Sequence, residues 1–352
     1  MRPLKPLLVD TVMLQFRLRC GLSALALCAA ALVPCLVHAE PGVPIEPREV
    51  RQWLMRIHDA ASQRNFQGTF VVSAAGAVSS ARIFHFFEGP DQFEWIEPLD
   101  GQVRYVLRHN NEVHTVWPSM RTVLVEQRNA AISFPSLLVG RDDRISEVYD
   151  VQTLKPERAA GHDANVLLLK PRDEYRYGHR LWTEAHTGLL LRSEVFDERG
   201  EVLEVSAFSD VLIGVRSQPE LVLQPMQIPA GYRVIKPQMQ PTRLDTEGWE
   251  LRNPVNGFRP LSCFRRPMEL GLKADATRPK TSALHAVFSD GMTYVSVFIE
   301  PYSEDRHAHP TLSSSGATHT MTSRRGDYWL TVVGDVPAVT LKAFTQSLDR
   351  RK

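Results

Sequence analysis

The stretch RLWTEAHTGLLLRSEVFDERGEVLEVSAFSD, residues 180–210, decides the fold of the first half of this chain. Apolar and polar residues alternate through three short runs, as they do in half-buried strands. The breaks between the runs, Thr187-Gly188 and residues 197–200, have the composition of tight turns. Strands joined by turns this short are antiparallel neighbours. The stretch therefore predicts a three-stranded meander.

The same stretch concentrates acids and a histidine, which raises the question of catalysis. Arg180, Trp182 and Glu184 alternate with apolar neighbours, and Glu194 alternates in the same way on the next run. Cross-strand pairs of Arg and Glu on a solvated sheet face are worth roughly 0.2–1 kcal/mol each. We therefore expect these acids to occupy the outer face and turns of the meander rather than a catalytic site.

Upstream of the meander, the sequence predicts one helix followed by a run of strands. Residues 47–63 carry apolar side chains at helical spacing, with Pro47 suited to the first turn. No partner helix is evident, so a sheet is the surface that this helix would cover. The predicted strands are residues 67–73, 81–87, 92–97, 102–109, 112–118, 121–127, 147–152, 163–171, 175–183, 188–196 and 201–208. Residues 134–140, FPSLLVG, predict a short helix.

Residues 212–247 contain five X-Pro pairs, a density that disfavours a continuous helix or a central strand. We interpret them as an extended linker in which Tyr232, Val234 and Ile235 could pair at a sheet edge. Beyond the linker, residues 261–266, 281–290, 292–301, 317–325 and 327–335 predict strands, and residues 336–350 a closing helix. Ser289-Asp290-Gly291 predicts a hairpin, and residues 304–316 a polar loop.

The first 39 residues have the pattern of an export signal. Arg17 and Arg19 precede an apolar run at 21–33 that is shorter than the ~20 residues needed to span a bilayer. Small residues then lead to a cleavage site after Ala39. A membrane anchor and a lipoprotein signal ending at Cys35 are the alternatives. Cleavage leaves Cys263 as the only cysteine of the mature chain, so no intrachain disulfide can form, and we expect Cys263 to be a buried small hydrophobe.

Several functional classes find no support. The chain carries 41 Lys and Arg against 40 Asp and Glu, which gives no steering toward nucleic acid. His179, Glu184 and His186 match no metal-binding spacing, and strand alternation would separate them; His307 and His309 lack an evident third ligand. There is no nucleophile elbow and no phosphate-binding glycine loop. We therefore predict no enzyme, no metal and no cofactor.

Bulky side chains on the early strands suggest more apolar surface than one helix covers. These residues are either ordinary core or the lining of an apolar ligand site. The lining that we predict consists of Phe70, Val72, Phe84, Phe86, Trp95, Tyr105 and Trp117. Arg82, Arg104 and Arg108 are either surface charges or partners for anionic head groups.

Taken in order, these segments resemble the MucB/RseB family of periplasmic regulators of the sigma-E (AlgU-type) envelope-stress response. The resemblance rests on the amino-terminal helix leading into NFQGTFVV, on FPSLLVG, on the meander, and on WELRNPVNGF, LHAVFSDGMTYVSVFIEP and RRGDYWLTVVGDVP. No part of it is a catalytic motif, and it extends through nearly all of the mature chain.

The resemblance implies an α+β protein with a large curved antiparallel sheet, a LolA-like unclosed barrel with helices, and a smaller α+β carboxy-terminal domain. The expected division is a signal peptide at 1–39, a LolA-like domain at 40–211, a Pro-rich linker at 212–247 and the small domain at 248–352. It further implies a negative regulator in the periplasm. That regulator binds the periplasmic domain of a membrane anti-sigma factor of the MucA/RseA type and shields it from regulated proteolysis. It is released on sensing lipid or lipopolysaccharide, and in some relatives the pathway controls exopolysaccharide (alginate) genes.

Two other functions remain open at this point. A periplasmic lipid or lipoprotein carrier of the LolA type would use the same curved sheet, although it would not need residues 248–352. A periplasmic hydrolase would need a constellation that the sequence does not display. The oligomeric state is open between a monomer, a homodimer and larger oligomers.

Overall fold

The computed structural model describes residues 42–127, 144–267, 282–307 and 309–351. The predicted signal peptide and the short helix predicted at 134–140 lie outside these residues. The helices are α1 Pro47–Gln63, α2 Ile145–Val148, α3 Glu220–Met226 and α4 Ala338–Ser347, with a 3-10 turn at Pro118–Met120. None of the described helices is long and apolar enough to cross a membrane.

Most of the described strands belong to one large sheet. Its members are β1 Val43–Pro44, β2 Phe66–Ala74, β3 Ala77–Glu88, β4 Asp91–Pro98, β5 Tyr105–His109, β6 Glu112–Trp117, β7 Thr122–Gln127, β8 Tyr149–Ala159, β9 His162–Pro171, β10 Gly178–Glu184, β11 Leu190–Phe196, β12 Val202–Ile213 and β13 Arg233–Ile235. Their order is β1-β8-β9-β10-β11-β12-β2-β3-β4-β5-β6-β7-β13. All neighbours are antiparallel except β13, which runs parallel to β7. Because β1 and β13 lie at opposite ends and do not pair, the sheet is unclosed, as expected.

The remaining strands form a smaller sheet and a short ribbon. The smaller sheet contains β14 Gln240–Pro241, β16 Arg259–Pro267, β17 Ser282–Ser289, β18 Tyr294–Pro301, β19 Leu312–Ser315, β20 Thr318–Arg325 and β21 Tyr328–Gly334, in the order β14-β16-β17-β18-β21-β20-β19. The ribbon pairs β15 Trp249–Leu251 with β22 Leu348–Arg350. Helix α4 buries Leu341 and Phe344 in the core of this smaller sheet. The α+β class is thereby confirmed.

Helix α1 has the bounds that the sequence predicts, and its apolar stripe is buried on the large sheet. Val50, Leu54 and Ile57 pack in one cluster with Phe66 and Ile83 of the sheet. Each fully buried side chain of this size contributes about 1.5–3 kcal/mol. Packing therefore contributes more than helix propensity to holding α1 in place.

The meander predicted at 180–210 is confirmed. Register pairs Arg180 with Glu194 between β10 and β11, and Glu194 with Val205 between β11 and β12. Arg56 of α1 donates to the carbonyl oxygens of Ala185, at 2.8 Å, and His186 in the β10–β11 turn. Gly188 of that turn has φ +83°, and a Cβ there would meet the Arg56 side chain at 2.6 Å. Glycine is therefore required where helix and turn meet.

Two predictions about connecting segments are wrong. Residues 220–226 of the expected extended linker form α3, although Pro225 lies inside it. The apolar surface that receives Val222 outweighs the weak helix propensity of this sequence. In the expected polar loop, residues 312–315 form β19 and pair with β20. Of the three residues considered for edge pairing, Val234 and Ile235 lie in β13 beside β7, which confirms the pairing for them, whereas Tyr232 precedes β13 and does not pair.

Candidate functional site

The large sheet separates the seven residues predicted to line a ligand site into two groups. Directly opposed residues of antiparallel strands share a face, and successive residues alternate between faces. Phe70 pairs with Ala81, so Phe84 and Phe86 of the same strand point away from the face of Phe70. By the same register, Phe70, Val72 and Trp117 lie on the α1 face, and Phe84, Phe86, Trp95 and Tyr105 lie on the opposite face. The seven residues therefore do not line a single cavity, and their contact with lipid stays a prediction.

On the α1 face, Phe70 and Trp117 line a groove of about 410 Å³ at one end of β2, β3 and β4. Ile96 and Pro98 complete its apolar wall, and Arg104 also lines it. The groove is lined by Phe70, Ser79, Ser80, Ala81, Ile96, Pro98, Asp100, Gln102, Arg104 and Trp117. A groove lined by both apolar and polar side chains is suited to an amphiphile.

The acidic end of the groove is fixed by local hydrogen bonds. The amide and hydroxyl of Ser80 donate to Asp100 Oδ2 at 2.5 and 2.7 Å. These bonds lower the pKa of the Asp100 carboxyl, so this residue stays ionised at neutral pH. The groove is therefore lined by a negative charge, that of Asp100, as well as by Arg104.

The three basic residues considered as head-group partners lie in different environments. Arg82 is half exposed on the face opposite α1, 3.8 Å from Glu97. Arg108 is buried on the α1 face, 4.0 Å from Glu94. Arg104 lines the groove.

On the face opposite α1, the aromatic residues form a covered cluster. Phe84 and Trp95 have ring centroids 5.6 Å apart, and Tyr105 meets Trp95 edge-on at 6.0 Å. Phe86 is fully buried in the same cluster. Val222, Leu223 and Met226 of α3 pack over it.

A buried charge network joins the large sheet to the small sheet, and no pattern in the sequence had indicated it. Asp290, in the turn between β17 and β18, accepts a hydrogen bond from Arg176 at 2.9 Å, and both side chains are 0% exposed. Tyr149 of β8 donates to the same carboxylate at 3.3 Å. Two residues on, Met292 is buried in the core cluster of the large sheet. The turn of the small sheet is thus inserted against the large sheet.

The surroundings of Arg176 and Asp290 satisfy both charges. Arg176 also donates to Asp173 at 2.9 Å and to the carbonyl oxygen of Asn256 at 2.6 Å. The amides of Met292 and Thr293 donate to the second oxygen of Asp290. Burial raises the pKa of the Asp290 carboxyl, and Arg176 and these amides oppose that rise. The predicted Ser289-Asp290-Gly291 turn was the only signal in the sequence, and it gave no indication of the partner.

The expectation that the acids of the meander lie on a solvated face is wrong for two of them. Glu194 is 5% exposed, beneath Arg180 and Arg192, whose guanidinium groups lie over the ring of Trp182. Glu184 is 7% exposed and accepts hydrogen bonds from the amide and hydroxyl of Thr187, both at 2.6 Å. Burial acts to raise the pKa of Glu184, but the bonds from Thr187 and His186 lower it to about 2. These acids stabilise the meander, and the structural role predicted for them holds.

The histidines considered as metal ligands are held in separate structural contacts. His179 is buried beside Tyr149 with no hydrogen-bond partner for either ring nitrogen among the described residues, and burial lowers its pKa to about 4. His307 stacks on Trp329 and lies 3.3 Å from Glu300. Within the described part of the chain, no three potential ligands are close enough to hold a metal ion.

Cys263, on β16, is partly buried against the core of the small sheet. Burial raises the pKa of its thiol to about 11, with Glu247 and Asp245 adding to the rise. The residue packs as a small hydrophobe, as expected, although it is not fully buried.

Comparisons with known proteins cover both sheets. The MucB/RseB N-terminal domain matches residues 49–230, and the MucB/RseB C-terminal domain matches residues 242–349. The sigma factor AlgU regulatory protein MucB of Pseudomonas aeruginosa is 28% identical over 307 residues, which cover 85% of this chain and 90% of that protein. The sigma-E factor regulatory protein RseB of Escherichia coli K12 is 25% identical over 305 residues, covering 84% and 89% respectively.

Solved structures agree with this assignment. The complex structure of Pseudomonas aeruginosa MucA/MucB matches with a TM-score of 0.64 and 25% identity, over 86% of this chain and 99% of that chain. A crystal structure of MucB in complex with MucA(peri) matches with a TM-score of 0.63 and 26% identity, over 86% and 98%. Since the two domain matches together span both sheets and the first alone covers about half of the chain, this protein belongs to the MucB/RseB family.

Proposed function

We propose that this protein is a negative regulator of a sigma-E (AlgU-type) pathway that binds the periplasmic segment of a membrane anti-sigma factor. The observation that carries the proposal is the family match over both sheets, together with MucB structures solved in complex with MucA. Bound protein shields the anti-sigma factor from regulated proteolysis. The protein acts in the periplasm after removal of residues 1–39.

In this proposal the mature chain has three parts. Residues 40–211 form the lipid-sensing domain, residues 212–247 the connection and residues 248–352 the small domain. The groove with Phe70 and Trp117 is the proposed entry for an acyl chain. Arg104 lines the same groove and is the proposed partner of an anionic head group of a lipid or lipopolysaccharide. The aromatic side chains bury the acyl chain of the ligand, and Arg104 favours a ligand with a negative charge.

Release by lipid follows from thermodynamic linkage. A lipid that prefers the partner-free form weakens partner binding by the same factor by which the partner weakens lipid binding. A coupling of about 1–3 kcal/mol changes either affinity roughly 5–150-fold. The buried contact between Arg176 and Asp290 makes such a coupling physically reasonable, because it joins the lipid-sensing sheet directly to the small sheet.

Isothermal titration of purified residues 40–352 with the anti-sigma segment, with and without lipopolysaccharide, tests the proposal. We expect tight binding that lipopolysaccharide weakens. Trp117→Ala should weaken the affinity for lipopolysaccharide about tenfold, because about 1.5 kcal/mol of apolar contact is lost. Binding of the anti-sigma segment in the absence of lipid should stay unchanged. Leu99→Ala is the matched control, because Leu99 is exposed beside the groove and does not line it.

Two other outcomes are distinguishable from the expected one. Segment binding that lipopolysaccharide does not change would support the regulatory function and refute lipid sensing. Lipid binding without segment binding would favour the carrier of the LolA type. Sedimentation of the same sample decides between a monomer and a homodimer.

A further inference from the structure

The connection between β12 and β13 crosses the face of the large sheet opposite α1. We call residues 214–232 the strap. At its start the amide of Gly214 donates to the carbonyl oxygen of Asn65 at 2.7 Å, and Ser217 donates to Glu88 at 2.8 Å. Gly214 and Gly231 have φ of +79° and +83°, so a glycine permits a sharp change of direction at each end. The strap is therefore a discrete segment between two turns.

The strap has little structure of its own. Helix α3 has seven residues, and Pro225 inside it removes a backbone donor. Isolated helices of this length are not stable in water, so packing must hold α3 in place. That packing centres on Val222, which is 0% exposed, with Leu223 and Met226 beside it.

The surface beneath the strap is the aromatic cluster of Phe84, Trp95 and Tyr105. The indole nitrogen of Trp95 is buried and, within the described residues, has no hydrogen-bond partner. A buried donor without a partner is costly. The strap thus covers an apolar surface without satisfying every polar group in it.

We propose that the face beneath the strap is a second acyl-chain site, which the side chains of α3 occupy when no ligand is present. An amphiphile with a single acyl chain enters by displacing Val222, Leu223 and Met226. The strap leads into β13 and then to β14, the edge strand of the small sheet, so its displacement reaches both sheets. The regulatory consequence, weaker binding of the anti-sigma segment, rests on the proposed function.

The first test places a charge where the strap is anchored. Val222→Asp puts a carboxylate at a fully buried position and should release the strap, whereas Leu221→Asp makes the same kind of change at the neighbouring residue, which is 36% exposed. Because a covered site binds with an affinity reduced by its open fraction, Val222→Asp should tighten the binding of sodium laurate by about tenfold or more. Leu221→Asp should leave laurate binding within about twofold of wild type.

Trp95 provides the readout specific to this face. Val222→Asp should shift tryptophan emission to longer wavelength without ligand, and adding Trp95→Phe should abolish that shift. A folded Val222→Asp variant, judged by its circular dichroism, with wild-type laurate affinity and emission would overturn the proposal.

A second measurement uses the wild-type protein and does not depend on the variant folding. The amides of Leu221, Val222, Leu223 and Gln227 are hydrogen-bonded within the strap. Laurate below its micelle concentration should accelerate their hydrogen exchange. Slower or unchanged exchange there at saturating laurate would refute displacement of the strap. If the anti-sigma segment fails to bind without laurate, the proposed function fails, and these results on the strap stand.

Discussion

Replacing Asp290 with asparagine tests whether the buried charge network holds the two sheets together. The substitution keeps the size of the side chain and an oxygen that can accept from the amides of Met292 and Thr293. It removes the negative charge 2.9 Å from Arg176, at a position where both side chains are 0% exposed.

The expected loss can be bounded from the partners that remain. Removing one member of a buried ion pair costs about 3–5 kcal/mol, because the other charge stays buried without compensation. Arg176 retains Asp173 at 2.9 Å and the carbonyl oxygen of Asn256 at 2.6 Å. We therefore expect the lower end of that range, about 3 kcal/mol.

Urea unfolding of residues 40–352, followed by tryptophan fluorescence and circular dichroism, measures this loss. Asp150→Asn is the matched control, since Asp150 pairs with Arg172 at 2.7 Å with both side chains at least half exposed. Exposed pairs contribute about 0–1 kcal/mol, so the control should lie near wild type. Added salt should leave the loss in Asp290→Asn nearly unchanged, because buried pairs are screened little. A loss no greater than that of the control would refute the assigned role of this pair.

Two further predictions concern buried titrating groups. His179 has a folded pKa of about 4, below its ordinary 6.5, so the unfolded chain takes up the proton first and stability falls as the pH drops from about 6.5 toward 4. His179→Leu should remove up to about 3 kcal/mol of that pH-dependent loss. The free energy of unfolding in urea should then depend less steeply on pH, and an unchanged slope would contradict the burial of a neutral imidazole. Thr187→Ala removes the hydroxyl bond to Glu184 and should cost about 1.5 kcal/mol at neutral pH, with the carboxyl pKa rising from about 2 toward 4.5 in an NMR titration. A carboxyl group whose pKa is lowered in the folded state stabilises the fold at pH values above its pKa in the unfolded state. The cost of Thr187→Ala should therefore shrink as the pH falls from 4.5 toward 2. A cost independent of pH would contradict the assigned hydrogen bond.

Local patterns in the sequence carried most of the prediction of secondary structure. Helix α1 and the β10–β12 meander depend on periodicity and on turn residues, which are properties of neighbours in the chain. Arg176 and Asp290, in contrast, are 114 residues apart, and no local pattern relates them. Helix α3 was not predicted for a similar reason. The surface that stabilises it is formed by β4 and β5, which lie far from it in the sequence.

The division of the predicted lining between two faces could have been found in the sequence. The turn at Ala75-Gly76 joins β2 to β3 with only two residues, which fixes Ala74 opposite Ala77. Counting back from that pair sets Phe70 opposite Ala81, and so places Phe84 and Phe86 on the other face. The signal was therefore present in the length of the turn rather than in the aromatic residues.

The two ends of the large sheet bear on how such a chain avoids self-association. A broad sheet with an open edge offers unpaired backbone groups to any other extended chain. Here the edge strand at one end is β1, which has two residues and includes Pro44. At the other end the edge strand is β13, which has three residues, runs parallel to its neighbour, and ends two residues before Pro237. The terminal strands β1 and β13 are themselves too short to act as long templates for cross-β aggregates. Strand β1 covers only Gln152 and Thr153 of β8, so among the described residues the rest of β8 is the stretch of edge most open to another extended chain.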